Sequence, residues 1–253
     1  MDGVTLAEEP MRAASDGNAG TVIGEAFADA RLGPDLLWRD LRGSAAPHPR
    51  GALFVDRDGV LIEERIYLSD PAQVKLIPGA VDLLRAATVR GIPVIAVTNQ
   101  AGIGRGKFGW QAFSAVERRL ELLLADEGIA LNAVFACPFH NEGLAKYRVP
   151  NHLWRKPNPG MLFEAARALN LDLARSILVG DKFSDVAAAK DAGLPVAVQV
   201  LTGHGPDHAA ASLECASPSF QVLIASEPSE AIPLLDDFVA ISPDQCFRSP
   251  ATI

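Results

Sequence analysis

Two aspartates, Asp56 and Asp58, lie two residues apart between a short apolar run and Gly59. Alternate residues of an extended chain point to the same side, so this spacing can place two carboxylates in one site. One carboxylate can then attack an electrophile while the other transfers protons, and both can help to hold a hard cation. The same pattern also occurs in ordinary acidic turns, and by itself it leaves that alternative open.

A second polar segment, Thr98-Asn99-Gln100, directly follows an apolar run. Its hydroxyl and amide donors suit the oxygens of a phosphate group. The alternative is that these side chains cap the turn into the glycine-containing loop that follows. The segment is therefore a candidate binding site whose meaning depends on its neighbours.

Two more segments carry cations and further acids. Arg155 and Lys156 precede a proline-rich turn, although paired cations are also typical of a solvated surface. Asp181 follows a strand-like run, and Asp185 comes one helical turn later, where the helix dipole also favours an acid.

The elements that position these residues alternate between short apolar runs and stretches of helical periodicity. That alternation predicts an α/β fold with a three-layer, doubly wound, Rossmann-like parallel sheet. Strands are predicted at residues 52–55, 92–97, 131–136, 176–179, 195–200 and 221–224, and helices at 81–90, 110–127, 161–169 and 186–192. Asp56, Thr98 and Asp181 each follow the apolar run of a strand, at the sheet edge where ligands bind.

The first fifty residues are predicted to be an N-terminal extension, partly disordered, and residues 51–253 to form the main domain. Residues 1–20 show no periodicity, which is typical of a tail without structure. Residues 25–42 suggest one or two short helices interrupted at Gly33-Pro34, and residues 43–50 a linker.

Composition restricts the class of protein. Of 253 residues, 49% are hydrophobic and 21% charged, which excludes a disordered or fibrous chain. A net charge of −8 argues against a nucleic-acid partner. The three scattered cysteines favour a reducing compartment, and the chain shows neither a signal-peptide pattern nor an apolar run of about 18 residues. We therefore expect a cytoplasmic protein without a membrane partner, and the sequence leaves its oligomeric state open.

The four segments, in this order, resemble the haloacid dehalogenase (HAD) superfamily of phosphohydrolases. Within it the chain is most similar to the D-glycero-D-manno-heptose bisphosphate phosphatase and histidinol-phosphatase group. The matching motifs are Asp56-Arg57-Asp58-Gly59-Val60, Glu63-Glu64-Arg65, Ile77-Pro78-Gly79, Thr98-Asn99-Gln100-Ala101-Gly102-Ile103, Arg155-Lys156-Pro157 and Gly180-Asp181-Lys182. The resemblance covers residues 51–200 and implies a HAD-type sheet without a large cap domain.

The resemblance also implies a chemistry, magnesium-dependent hydrolysis of a phosphomonoester through an aspartyl-phosphate. Asp56 would be the nucleophile, and Asp58 the acid that protonates the leaving oxygen and then activates water. Thr98 and Lys156 would hold the phosphoryl group. Mg²⁺ would be held by Asp56, the main-chain oxygen of Asp58 and Asp181, with Asp185 behind these ligands.

The same resemblance implies that the rest of a small phosphorylated sugar contacts a further set of residues. These are Glu64, Arg65, Ile66, Tyr67, Asn99, Gln100, Arg155 and Lys182. Because Arg155 and Lys182 are cationic, we expect a second anionic group on the preferred substrate. His204 and His208, in a glycine-rich stretch, are expected to be ordinary loop residues.

The chain departs from the group at a zinc loop, where relatives carry C-x-H and then C-x-C directly before R-K-P. Here the two triplets read Cys137-Pro138-Phe139 and His152-Leu153-Trp154. We expect Phe139 and Trp154 to pack in place of the metal, and therefore no zinc. A rearranged site of Cys137, His140 and His152 is the alternative, with one ligand fewer than a closed structural site.

Three other functions remain open at this stage. A receiver-like phospho-acceptor domain shares the sheet, the phosphorylated aspartate and the lysine, but it has no use for an acid/base at Asp58. A histidinol-phosphate phosphatase belongs to the same group. A polynucleotide phosphatase is disfavoured by the net charge.

Overall fold

The computed structural model describes residues 28–239, so the expectation for residues 1–20 lies outside the described residues. A seven-stranded sheet has the order β1-β4-β3-β2-β5-β6-β7, in which each neighbouring pair is parallel except β1 and β4. The strands are β1 (Trp38–Leu41), β2 (Leu53–Val55), β3 (Val94–Asn99), β4 (Ala133–Cys137), β5 (Ile177–Gly180), β6 (Val196–Val200) and β7 (Gln221–Ala225). The six predicted strands are confirmed, with ends shifted by one or two residues.

Helices cover both faces of the sheet. They are α1 (Ala80–Val89), α2 (Ala101–Gly104), α3 (Trp110–Asp126), α4 (Gly160–Leu169), α5 (Phe183–Asp191), α6 (Gly205–Leu213) and α7 (Ile232–Leu234). Short 3₁₀ turns span Pro71–Gln73, Ala145–Tyr147, Leu173–Arg175 and Pro228–Ala231, and a π-helical turn spans Leu235–Val239. The four predicted helices correspond to α1, α3, α4 and α5.

Central strand β2 shows why three layers form. Leu53 and Val55 belong to one core cluster, together with residues of α1 and α3, whereas Phe54 packs in a second cluster with α4 and α5. Because successive side chains of a strand point to opposite faces, a strand that is apolar at every position must be covered on both sides.

The expectation of helices at residues 25–42 was wrong for the part of that segment that the structure describes. Trp38 and Asp40 are buried while Arg39 and Leu41 are more exposed, which is the period of a strand, and β1 pairs antiparallel with β4. The buried Trp38 ring stacks on Trp110 of α3 at 5.6 Å. The segment before residue 50 thus contributes an edge strand, and the division of the chain at residue 50 stays a prediction.

The glycine-rich stretch around His204 also differs from expectation, since it leads directly into α6. A proline in the first turn of a helix loses no intrahelical hydrogen bond, so Pro206 is compatible with this start. Among the helices of residues 28–239, none has the length and apolar character that crossing a membrane requires.

Candidate active site

Asp56 lies one residue past β2, at the carboxyl edge of the sheet, and is only 4% exposed. The register aligns Val55 with Ala96 of β3 and Val179 of β5, so the residues that follow these strands converge beside it. Its backbone N–H donates to the carbonyl of Val179, and its Oδ1 accepts from the N–H of Arg57. The nucleophile candidate is therefore held on a rigid strand end.

Three buried carboxylates form a cluster there. Asp56, Asp181 and Asp185 each offer an oxygen, and these oxygens all lie within 4.8 Å of one another. Gly59 and Gly203 have positive φ angles, and a Cβ at either would collide with the Asp181 carboxylate. The backbone of two turns, each with a conformation that glycine adopts without strain, therefore packs closely against the Asp181 carboxylate.

Lys156 is the cation at the centre of the cluster. Its Nζ lies 2.9 Å from Asp56 Oδ1 and 2.5 Å from Asp185 Oδ1, and it donates to the carbonyl of Val97 at 2.7 Å. Burial alone would lower the pKa of Lys156, but the carboxylates of Asp185 and Asp56 outweigh burial and raise it. The lysine therefore stays protonated.

Lys156 alone does not balance three buried acids, and the other nearby ammonium, Lys182, lies 3.6 Å from Asp181 Oδ1 with its side chain 30% exposed. Burial raises the pKa of Asp56 to about 6, against the opposing pull of Lys156. Burial and the nearby Asp56 raise the pKa of Asp181 to about 8. Asp181 Oδ1 is moreover buried without a hydrogen-bond partner. An all-oxygen donor set with a deficit of positive charge fits a hard divalent cation such as Mg²⁺.

Asp58 is more exposed than the three clustered acids and is held by three side chains. The guanidinium of Arg57 contacts both its oxygens at 2.7–3.1 Å, and Gln100 Nε2 donates to Oδ2 at 2.8 Å. Thr98 Oγ1 lies 3.4 Å from the same oxygen. The two polar segments predicted after β2 and β3 therefore meet at one carboxylate.

Asn99, predicted to bind substrate, bonds to the main chain of Lys156 instead. Its Nδ2 donates to the Lys156 carbonyl at 2.9 Å, and its Oδ1 accepts from the Lys156 N–H at 3.1 Å. This paired contact fixes the backbone from which the lysine reaches Asp56. Asn99 also lines the cavity, so contact with a substrate stays a prediction.

A cavity of about 370 Å³ opens above this centre. The predicted residues that line it are Asp56, Asp58, Glu64, Arg65, Ile66, Tyr67, Thr98, Asn99, Gln100, Lys156 and Lys182. Lys182 Nζ donates to Glu64 Oε2 at 3.2 Å across its mouth. The structure thus brings the loop of residues 64–67 to the same opening as the four motifs.

The lining also includes residues that were not predicted to belong to the site, among them Arg57, Arg105, Phe108 and His204. Arg105 follows α2, and its NH1 donates to Tyr67 Oη at 3.0 Å while its Nε is buried without a partner. His204, expected to be an ordinary loop residue, directly precedes α6 and lines the cavity, and its backbone N–H donates to Asp181 Oδ2 at 2.8 Å. In the sequence, the only local indications of these positions were the neighbouring glycines, in Gly102-Ile103-Gly104 before Arg105 and at Gly203 before His204.

Arg155 is not brought into this cavity, unlike the other predicted cations. Its guanidinium donates to the carbonyl of Phe139 at 3.2 Å, and it lines a separate cavity with Asn141, Asn158 and neighbouring prolines. Lys156, the next residue, directs its ammonium group to Asp56. The predicted contact between Arg155 and substrate is therefore not supported by its position.

The region expected to replace a zinc loop is packed by aromatic rings. Phe139 stacks on His152 at 4.1 Å, and Trp154 meets the edge of Phe135 at 5.7 Å. Cys137 Sγ lies 4.0 Å from His152 Nδ1, which also accepts from the N–H of Trp154. His140 instead contacts Arg105. Within residues 28–239, the acidic cluster is the group whose ligand atoms converge, and the absence of zinc stays a prediction.

Comparisons with known proteins agree with this geometry. A sequence profile described as HAD-hydrolase-like matches residues 153–223. The D-glycero-β-D-manno-heptose-1,7-bisphosphate 7-phosphatase of Mesorhizobium japonicum is 49% identical over 161 residues, which cover 64% of this chain and 74% of that protein. The enzyme of that name from Pasteurella multocida is 38% identical over 152 residues, covering 60% of this chain and 82% of that protein.

Two solved structures share the fold. A protein described as a HAD-like phosphatase from Mesorhizobium loti superposes with a TM-score of 0.71 at 40% identity, covering 80% of this chain and 92% of that one. The D,D-heptose 1,7-bisphosphate phosphatase of B. bronchiseptica, complexed with magnesium and phosphate, gives 0.64 at 26% identity, covering 74% and 98%. The predicted fold class and enzyme class are confirmed. The chain belongs to the HAD superfamily of phosphatases, in the group of the heptose bisphosphate phosphatases.

Proposed function

We propose that this phosphatase is a magnesium-dependent phosphomonoesterase that acts through an aspartyl-phosphate on a small sugar bisphosphate. The observation that carries the proposal is the position of Asp56. It lies on the floor of an open cavity, with the ammonium of Lys156 at 2.9 Å on one side and Asp181 on the other.

The chain's own residues supply the two proton-transfer steps and the nucleophile. A carboxylate oxygen of Asp56 attacks phosphorus while the P–O bond to the sugar breaks, and Asp58 gives its proton to the departing sugar oxygen. Asp58, now ionised, takes a proton from the water that attacks the aspartyl-phosphate at phosphorus. Inorganic phosphate leaves, and Asp56 and the protonated Asp58 are restored.

Charge stabilisation comes from the groups that surround Asp56. Lys156 and Thr98 would bind the equatorial oxygens, on which negative charge concentrates during phosphoryl transfer. Mg²⁺, held by Asp56, the Asp58 carbonyl and Asp181, would supply further positive charge at the same place. Asp185 holds Lys156 from the opposite side.

The substrate class rests on the wall of the cavity beyond this centre. Arg65, Arg105 and Lys182 line that wall, and three cations around a small opening favour a second anionic group on the substrate. The relatives at 49% and 38% identity are named for a heptose that carries two phosphates. A sugar bisphosphate therefore suits both the wall and the relatives.

A panel of purified substrates tests this function. We expect kcat/KM to be highest for a D-glycero-D-manno-heptose 1,7-bisphosphate, lower for the matching monophosphates and lowest for histidinol phosphate. Both anomers of the bisphosphate belong in the panel. Protein carrying Asp56→Asn, purified identically, measures any contaminating phosphatase. Equal kcat/KM values for bisphosphate and monophosphate would contradict the proposal that the substrate is a bisphosphate. Activity that does not depend on Mg²⁺ would contradict the proposed mechanism.

A further inference from the structure

A buried ion network lies behind Asp58 and supplies none of the groups that the proposed mechanism uses. Arg57 and Glu117 are each 1% exposed, although Glu117 belongs to the apolar face of α3 between Val116 and Leu120. Arg57 NH1 donates to Glu117 Oε1 at 2.7 Å. The two residues, here called the Glu117–Arg57 pair, are 60 positions apart in the sequence.

The guanidinium joins two carboxylates by different edges. One edge, through NH1, meets Glu117, and the Nε and NH2 groups form a fork on both oxygens of Asp58. The ring of Phe113, one turn before Glu117 on α3, lies 5.1 Å from the guanidinium carbon. Helix α3 therefore contacts one face of the guanidinium through Phe113 and one edge through Glu117. The other edge binds Asp58.

Stability is a poor explanation for such a pair. Charges taken out of water incur a desolvation cost that their mutual attraction often fails to offset, and apolar residues of similar volume frequently do as well. Burial indeed raises the pKa of Glu117 despite its contact with Arg57. A charged residue at a core position of α3 calls for a second role, and Arg57, which also lines the cavity, connects it to Asp58.

The hydrogen bonds also distinguish the two oxygens of Asp58. Oδ2 accepts from Arg57 and from Gln100, with Thr98 Oγ1 nearby, whereas Oδ1 accepts only from Arg57 NH2. A carboxyl group that donates a proton needs one oxygen with a free lone pair to carry it. The hydrogen bonds leave a free lone pair at Oδ1 and fix the plane of the carboxyl group.

We propose that the Glu117–Arg57 pair is a positioning device for Asp58, which fixes the orientation in which that acid passes its proton from Oδ1 to the leaving oxygen of the substrate. The inference rests on the proposed function, because it assumes that Asp58 is the acid. Glu117 touches no substrate and acts only through Arg57.

Leaving groups of different basicity separate this role from a structural one. An alkoxide needs a proton as the P–O bond breaks, whereas 4-nitrophenolate departs with little help, so a misplaced acid slows the first far more than the second. The quantity to compare is kcat/KM, which reports on steps up to departure of the leaving group. Hydrolysis of the aspartyl-phosphate, which also uses Asp58, then does not enter the comparison.

The main variant is Glu117→Met, which keeps the length of the side chain and removes the acceptor of Arg57. We expect kcat/KM for a sugar phosphate to fall about 10- to 100-fold and that for 4-nitrophenyl phosphate to change less than about threefold. Glu117→Gln keeps an acceptor oxygen and should restore most of the loss. Glu121→Met, the same change at the half-exposed next turn of α3, should leave both values near wild type.

Arg57→Lys provides a second route to the same result if Glu117→Met does not fold. Lysine keeps the charge but cannot span Glu117 and Asp58 with a planar fork, so the same selective loss is expected. Equal losses for the two substrates, or no loss for the sugar phosphate, would overturn the inference. Wild-type protein that hydrolyses neither substrate would overturn the proposed function itself, which is a distinguishable outcome.

Discussion

The floor and the wall of the cavity are built in different ways. The floor consists of Asp56 and Lys156 together with Asp181 and Asp185, which pack against them beneath the cavity surface. These four residues are at most 4% exposed and bond mainly to one another and to strand backbone. On the wall, Ile66 is 90% exposed, and charged side chains pair with partners that face solvent. The floor therefore fixes a reaction, whereas the wall consists of groups that a bound substrate can displace.

The ion pairs of the two regions differ in the same sense. Arg105 meets Glu142, a side chain 69% exposed, and such surface pairs contribute little because water and salt screen them. Lys156 meets its carboxylates out of contact with solvent, where removal of one partner leaves an uncompensated charge. Changes on the floor should accordingly abolish turnover, and changes on the wall should alter selectivity.

The largest effect is expected from Asp56→Asn. An amide has nearly the shape of the carboxylate but cannot form the acyl phosphate, so activity should fall at least about 10³-fold. Steady-state assays with and without the substitution measure the loss, and thermal unfolding checks that the fold is retained. Appreciable turnover by this variant would show that the floor does not supply the nucleophile.

A magnesium effect on stability tests the charge deficit of the floor. We expect Mg²⁺ at about a hundred times its Kd to raise the free energy of unfolding by about 2.7 kcal/mol. Asp181→Asn should remove this gain, whereas Asp191→Asn, at an exposed position on α5, should retain it. Equal stabilisation of both variants would place the ion elsewhere.

The stability of the metal-free protein should depend on pH, because the pKa of Asp181 is raised to about 8 from an ordinary value of 3.8. The metal-free folded protein keeps a proton that the unfolded chain has released, so its stability should fall as pH rises from about 4 to 8. Chemical denaturation with EDTA at several pH values measures this trend. A free energy of unfolding that rises with pH over the whole interval would contradict a raised pKa for this buried acid.

A smaller effect is expected on the wall, where two arginines provide a matched pair. Arg105→Gln should lower the preference for bisphosphate over monophosphate by about 10- to 100-fold, the equivalent of a charge-assisted hydrogen bond of about 1.5–3 kcal/mol. Arg155→Gln should leave that preference nearly unchanged, because its guanidinium is turned to Phe139. The reverse pattern would show that Arg155 reaches the substrate.

The smallest effect is expected from zinc removal. Phe139 and Trp154 pack at the positions where the family resemblance implies zinc ligands. Purified protein should therefore contain no stoichiometric zinc, and a zinc-selective chelator should leave activity unchanged when Mg²⁺ is present. Elemental analysis tests this directly. About one zinc per chain would instead direct attention to Cys137, His140 and His152.

The floor was largely predictable from sequence, for a physical reason. Parallel strands share a carboxyl edge, so polar residues such as Asp56, Thr98 and Asp181, each following a separate apolar run, must meet there. Lys156 could be placed only by resemblance, because the Asn99 contact that holds its backbone depends on tertiary structure.

The wall and the support of the floor were less predictable. Glu117 reads as one polar residue of an amphipathic helix, and nothing in its local pattern shows that it meets Arg57. Arg105 and His204 each follow a glycine in a loop. The conformation of such a loop depends on tertiary contacts, so the local sequence does not predict where the next side chain lies. β1 was missed because its four residues are too few to show the period of a strand clearly.

Trapping of the covalent intermediate would show which carboxylate becomes phosphorylated. Enzyme mixed with substrate and Mg²⁺ is quenched in acid within one turnover and treated with borohydride, which reduces an aspartyl-phosphate to homoserine. We predict homoserine at position 56 in the digested protein, dependent on substrate and absent after Asp56→Asn. Turnover of the substrate without modification of Asp56, or with modification of another acid such as Asp185, would contradict the account.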